Sequence, residues 1–208
     1  MHPALSGAAP DVLWLDDDAR PSPLPPLTAD ARADLVVVGG GYTGLWTALR
    51  ARERYPELDV LVLEAGGCGW QASGRNGGFA DASLTHGFGN GVARWPDELA
   101  ELDRLGEDNL GAVEETVSRY GIDCAFERTG ALDVATAPHQ VDELSGLVEA
   151  RAAGHDVHLL DAAQTRALLD SPTYLAAQHD PHGLALGRVG KRGHRVQMRV
   201  AARVSPAR

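Results

Sequence analysis

Hydrophobic positions cluster early in the chain. Leu35-Val36-Val37-Val38 is a continuous apolar run of strand length, the pattern of a strand buried on both faces. Beyond a glycine cluster, Leu45, Ala48 and Leu49 recur at helical spacing beneath an arginine-rich outer face, until Pro56 stops the helix. Val60 to Leu63 forms a second apolar run, predicted to be a buried strand ending at Glu64. The period therefore predicts a β-α-β unit of 31 residues, from Asp34 to Glu64.

Periodicity weakens and then returns. Residues 66–78 are glycine-rich, and loop is predicted to continue to about Gly91. A long helix is predicted over 96–120, with Leu99, Leu102, Leu110, Val113 and Val117 on one face and Gly121 just beyond its end. Gly106 and Gly111 are its weak points. Residues 125–127 and 131–136, joined through Thr129-Gly130, read as a hairpin. A helix over 138–153 turns Val141, Leu144 and Val148 inward, and 157–160 reads as a strand. Asp161-x-x-Gln164 is a capping box for a short helix ending before Ser171-Pro172. Ahead of all this, residues 1–33 form an arm with Pro21, Pro23, Pro25 and Pro26, extended in character and pinned by Trp14 and nearby leucines.

Composition narrows the classes. Of 208 residues, 44% are hydrophobic, enough for a buried core and too many for a disordered chain. With 29 acidic against 19 basic side chains the net charge is −10, which argues against a nucleic-acid partner. No apolar run approaches membrane-spanning length and no secretory leader is visible, so a soluble, cytoplasmic protein without membrane insertion is expected. The charge is unevenly placed: all 29 acidic residues precede residue 181, whereas 181–208 carry seven basic ones. Cys68 and Cys124 are too few for a disulfide framework and read as thiols in a reducing compartment. His155-x-x-His158 and His179-x-x-His182 lack the spacing of a chelating pair and no carboxylate set completes them, so no metal site is expected. Asp16-Asp17-Asp18 reads as a solvated turn.

Gly39-x-Gly41-x-x-Gly44 carries the chemistry. It follows a buried strand, opens a helix, and has an acidic residue, Glu64, 20 positions beyond Gly44. Gly39 permits the tight turn, Gly41 lets backbone approach a pyrophosphate, and Gly44 lets helix pack closely on strand. The helix N-terminus, at Tyr42 and Thr43, presents N–H groups and a positive dipole end to phosphate. Glu64 is placed to accept hydrogen bonds from a ribose. After it comes Ala65-Gly66-Gly67-Cys68-Gly69-Trp70-Gln71-Ala72-Ser73-Gly74-Arg75-Asn76-Gly77-Gly78, a run suited to backbone lying against a flat ligand. A surface loop is the other reading of that run.

These two stretches, Val36 to Leu45 and Ala72 to Gly78, resemble the D-amino-acid oxidase superfamily of FAD-dependent oxidoreductases. The Ser-Gly-Arg-Asn-Gly-Gly string is most similar to the branch containing gamma-glutamylputrescine oxidoreductases, and the likeness extends over about residues 12–183. The resemblance implies an α/β fold: a Rossmann-type FAD-binding βαβ with the beginning of an α+β substrate domain. It implies FAD as cofactor, a small amine or amino acid as substrate, and oxygen or another electron acceptor to reoxidise the flavin. Gly39, Gly41 and Gly44 would hold the pyrophosphate and Glu64 the ribose, with Tyr42, Thr43 and Ala65 also among the cofactor-binding residues. Ser73, Gly74, Arg75, Asn76 and Gly77 would lie near the flavin end. No catalytic acid or base is named by it.

Members of this superfamily are considerably longer. The expected organisation is an arm (1–33), the βαβ and glycine-rich loop (34–95), a helical segment with part of a substrate domain (96–183), and a basic, unstructured tail (184–208). The charge reversal near residue 183 suggests a truncated chain whose tail is read in a shifted frame, with a sheet left short of strands, marginal stability and weak FAD retention. A dinucleotide-binding module without turnover and an inactive remnant are the alternatives.

Overall fold

The computed structural model describes residues 24–82, 87–151 and 156–181, two strands at 184–186 and 199–202, and a few single positions in the N-terminal arm and at 154. The chain divides into two compact units. The first comprises residues 1–77, 120–124 and 188–208; the second comprises 78–119 and 125–187. Of the expected 34–95 segment, residues 34–77 lie in the first unit and 78–95 in the second.

The first unit is built on the predicted βαβ. Strand β1 (Leu35–Val38) leads into helix α1 (Tyr42–Arg54), and β2 (Val60–Glu64) returns parallel to β1, Leu35 opposite Val60 and Val38 opposite Leu63. The start of the ladder is tied by Asp34 N–H to the Asp59 carbonyl (3.0 Å) and by Asp59 N–H to the Asp34 carboxylate (2.9 Å). Its end is tied by Gly39 N–H to the Leu63 carbonyl at 2.7 Å. Ala48 of α1 packs on Val60 and Val62, with Leu35, Val37, Ala51 and Leu58 around them, so the helical spacing that included Ala48 marks the face that seals the sheet. At the far end of α1, Arg52 donates to the Leu58 carbonyl (2.6 Å) and to that of Pro56, closing the turn into β2. Tyr120 donates to Glu53 at 2.8 Å.

Burial in this sheet corrects one expectation. Strand β2 is buried on both faces, but β1 is not: Val36 and Val38 are 47% and 83% exposed. The reason is position, since β2 lies between two neighbours and β1 has β2 alone among the described residues. The other neighbour of β2 is β8 (Arg199–Ala202), parallel to it, with Leu61 opposite Arg199.

The second unit holds the remaining elements. Strand β3 (Phe79–Asp81) and helix α2 (Gly87–Arg94) lie in the stretch predicted to be loop. Helix α3 (Leu99–Arg119) is unbroken at Gly106, where a Cβ would run into the Ala82 carbonyl; close backbone approach explains that glycine. Gly121 follows α3 with φ +55, the left-handed conformation expected just past a helix end. On the exposed side of α3, Arg104 bridges Glu101 and Asp108, and its hydrogen bond holds the Glu101 carboxyl below the usual carboxylate range.

The predicted hairpin does not form. Strand β4 (Ala131–Ala135) pairs antiparallel not with 125–127 but with β6 (Ala176–Asp180), which also pairs with β5 (His158–Asp161), giving the order β4-β6-β5. Phe126 packs instead against Leu110 and Ala82. Gly130, at φ +71, lies so close to Asp180 and Pro181 that a Cβ would collide with them. Helix α4 (Pro138–Arg151) packs on this sheet, as does α5 (Ala162–Leu168). The capping box is complete: Gln164 N–H donates to Asp161 Oδ1 (2.8 Å) and Asp161 N–H to Gln164 Oε1 (2.9 Å).

The expected unstructured tail over 184–208 is also corrected. It contains β7 (Leu184–Leu186), antiparallel to β3, and β8 beside β2. Side-chain pattern announces neither strand, because a sheet edge recruits backbone N–H and C=O groups whatever side chains accompany them.

Candidate dinucleotide site

The candidate site is the turn between β1 and α1, faced by the tip of β2 and the loop after it. Gly39 takes φ +105, a conformation glycine adopts without the strain a side chain would bring. A Cβ at Gly44 would strike the Gly39 carbonyl and come within 3.3 Å of Val37 Cγ1, so the third glycine of the fingerprint sets how closely α1 lies on β1.

Gly41 is the N-cap of α1 and makes no side-chain cap bond, and the first turn carries no acidic residue. No carboxylate of its own first turn therefore offsets the positive end of the helix, although the Tyr42 N–H is taken by Ser73 Oγ. Glu64 sits at the tip of β2 with both carboxylate oxygens engaged: Oε2 accepts from Gly40 N–H at 2.6 Å and Oε1 from Gly66 N–H at 2.9 Å. These bonds hold the carboxylate beside the glycine turn, and each oxygen retains a further lone pair.

The loop over 65–77 folds onto this turn. Gly69 N–H donates to the Gly40 carbonyl at 2.8 Å, and a Cβ on Gly40 would come within 2.8 Å of Cys68 Sγ. Ser73 and Gly74 lie in a short 3-10 turn, Ala72–Gly74. Ser73 Oγ accepts the N–H of Tyr42 at 3.0 Å, which places it at the first turn of α1. Asn76 donates to the Ala72 and Ser73 carbonyls (3.1 and 2.9 Å) and approaches the Tyr42 hydroxyl at 3.5 Å. Arg75 donates to the Trp70 carbonyl at 2.9 Å, its guanidinium 5.5 Å from the Trp70 ring centre. A Cβ at Gly74 would come within 2.9 Å of Leu15, so a leucine of the arm packs on this loop; Trp14 lies outside the described residues.

The structure thus gathers Gly39, Gly41, Tyr42, Gly44, Glu64, Ser73 and Asn76 around one turn. Thr43 uses its carbonyl to accept from Thr47, and Ala65 and Gly77 are exposed loop positions. Sequence spacing missed the backbone bond between Gly69 and Gly40, which no side-chain pattern signals. Among the described residues no group of three or more His, Cys, Asp or Glu is placed to hold a metal ion. His155, His182, Asp17 and Asp18 lie outside them, and His158 makes an exposed pair with Asp156 at 2.8 Å. No helix among the described residues is long and apolar enough to cross a membrane.

A parallel strand, a glycine turn and an acidic residue at the tip of the next strand define a dinucleotide-binding βαβ unit. Residues 34–188 match the FAD dependent oxidoreductase family, and the chain belongs to that family. It is 34% identical over 169 residues to gamma-glutamylputrescine oxidoreductase of Escherichia coli, a match covering 78% of this chain and 38% of that protein. It is 27% identical to a probable oxidoreductase, OrdL, of Haemophilus influenzae, covering 80% of this chain and 39% of that one. Solved structures share the fold: glycine oxidase from Geobacillus kaustophilus (TM-score 0.61, 22% identity, 78% of this chain and 42% of that one) and L-amino acid deaminase from Proteus vulgaris (0.61, 19%, 87% and 42%). The chain spans about two fifths of the length of these relatives.

Proposed function

We propose that this chain is the FAD-binding part of an oxidoreductase that oxidises the C–N bond of a small amine or amino acid. The observation that carries the reading is the N-terminus of α1 at a close-packed glycine turn, with Glu64 anchored beside it by two backbone N–H groups. Phosphate is the ligand chemistry such a helix start favours, and an anchored carboxylate suits a ribose diol.

Each residue has a distinct task in this reading. The backbone of Gly41 and the first turn of α1 hold the pyrophosphate, through N–H groups other than that of Tyr42, which Ser73 Oγ already accepts. Glu64 holds the adenosine ribose through the lone pairs its backbone bonds leave open. Arg75, Asn76 and Gly77 position the stretch leading to the flavin, Arg75 kept in place by Trp70. Bound FAD supplies the acceptor for hydride from the carbon beside the substrate amine, and oxygen or another acceptor removes the electrons afterwards. The relatives' activity on amines and amino acids is what points to the substrate class. A second reading is cofactor binding without turnover, which the glycine turn and the anchored Glu64 equally support.

A visible absorption spectrum of the purified chain incubated with FAD, taken before and after denaturation and removal of free cofactor, tests the binding claim. A flavin spectrum released in near-equal molar amount supports it, and a colourless protein removes it. Bleaching of that spectrum by an amine or amino acid without air separates turnover from binding alone.

A further inference from the structure

The chain contains three asparagines, and two of them, Asn76 and Asn90, precede a glycine. In that pairing the following nitrogen can attack the asparagine side chain, because glycine has no Cβ to shield it and its backbone turns freely. The two pairs stand in opposite settings. Asn90 and Gly91 lie inside helix α2, and Gly91 is buried. A helical backbone keeps each nitrogen in its hydrogen-bond ladder and out of reach of the preceding side chain. Asn76 and Gly77 are both exposed, between the 3-10 turn and β3. The Gly77 N–H enters no backbone hydrogen bond among the described residues.

Asn76 also holds its turn together. Its Nδ2 donates to the Ala72 and Ser73 carbonyls at 3.1 and 2.9 Å, and the same turn carries Ser73 Oγ to the Tyr42 N–H. A carboxylate in its place has no proton to give those carbonyls and brings a negative charge against them.

We propose that Asn76 is a site of spontaneous deamidation, which releases the 72–76 turn from the side-chain bonds that hold it. The Gly77 nitrogen gives its proton to solvent base and attacks the side-chain carbonyl carbon of Asn76. A C–N bond forms, the bond to Nδ2 breaks, and ammonia leaves with a proton from water, closing a succinimide. Water then adds to either ring carbonyl and opens the ring to aspartate or isoaspartate. No electrons are transferred, and water is the co-reactant. The modification does not require flavin to bind.

The test ages the purified full chain in mildly alkaline and in mildly acidic buffer, and reads its peptides by mass spectrometry and isoaspartate methylation. Conversion at Asn76 is expected to run roughly tenfold or more ahead of Asn90, where the helix must open first. It should be faster in the alkaline buffer, since the attacking nitrogen must lose its proton. Gly77→Ala, at a position whose φ is not positive, should slow it several-fold by crowding that nitrogen. Hydrogen exchange at the Tyr42 amide and over 72–77 should be faster in the aged chain and in Asn76→Asp. Equal conversion at the two pairs overturns the proposal, as does a rate indifferent to pH or to Gly77→Ala. An intact Asn76 after conditions that fully convert the denatured chain overturns it too. Exchange unchanged by Asn76→Asp overturns the release of the turn.

Discussion

Strands β1 and β2 are near-equivalents in sequence, LVVV and VLVLE, and lie side by side in register. Yet β2 is buried on both faces while β1 turns one face to solvent. Hydrophobic content does not separate them; neighbours do. Strand β2 has a strand on each side, and among the described residues β1 has one neighbour plus the turn that follows it. An apolar run therefore states what a strand is suited to, and the sheet around it decides whether that capacity is used.

The sharpest way to break the contrast is to place the same charge on both strands. Val62→Asp buries an unpaired carboxylate in the cluster under α1 and should cost more than about 4 kcal/mol, unfolding the first unit. Val38→Asp should change stability by less than about 0.5 kcal/mol in the isolated chain. Urea midpoints followed by hydrogen exchange over 34–64 compare the two, and equal losses would erase the distinction between edge and interior.

Smaller effects ask what holds β1 besides its pairing with β2. If the turn after β1 secures the strand, Gly44→Ala should cost about 2–3 kcal/mol and reduce retained FAD, because the new methyl strikes the Gly39 carbonyl. Thermal unfolding and flavin content are the readouts. Asp161→Ala in the capping box of α5 should cost about 1 kcal/mol, confined to the second unit. Hydrogen exchange in β1 and β2 should be untouched by it, and a change there would show that the units do not respond separately. The smallest loss is expected of Asp34→Ala, about 0.5 kcal/mol in the denaturant midpoint, through its exposed bond to Asp59 N–H.

Legibility in the sequence followed the range of the interactions concerned. Helix α1, the capping box at Asp161 and Gln164 and the glycine past α3 depend on residues within a turn or two of each other, and spacing exposed them. The supposed hairpin over 125–136 failed because β4 finds its partner some forty residues later, at β6, while Phe126 is drawn to Leu110 and Ala82. Helix α2 was unreadable for another reason: GFGNGVAR is poor helix sequence, and propensity is a weak prior beside tertiary context. At the candidate site, Gly39, Gly41, Gly44 and Glu64 were visible as a spaced motif, and the structure brings them to one turn. The approach of Ser73 to Tyr42 N–H was not visible, since 31 residues separate them.

By itself the sequence determined the βαβ unit, the glycine turn and the acidic residue at the tip of β2, because each follows from local period, backbone freedom and fixed spacing. Tertiary structure alone decided that β1 has β2 as its one strand partner among the described residues, that residues 199–202 flank β2, and that the loop over 65–77 folds back on the glycine turn. Those outcomes rest on hydrogen bonds between backbone groups far apart in the chain, and backbone groups are alike at nearly every residue.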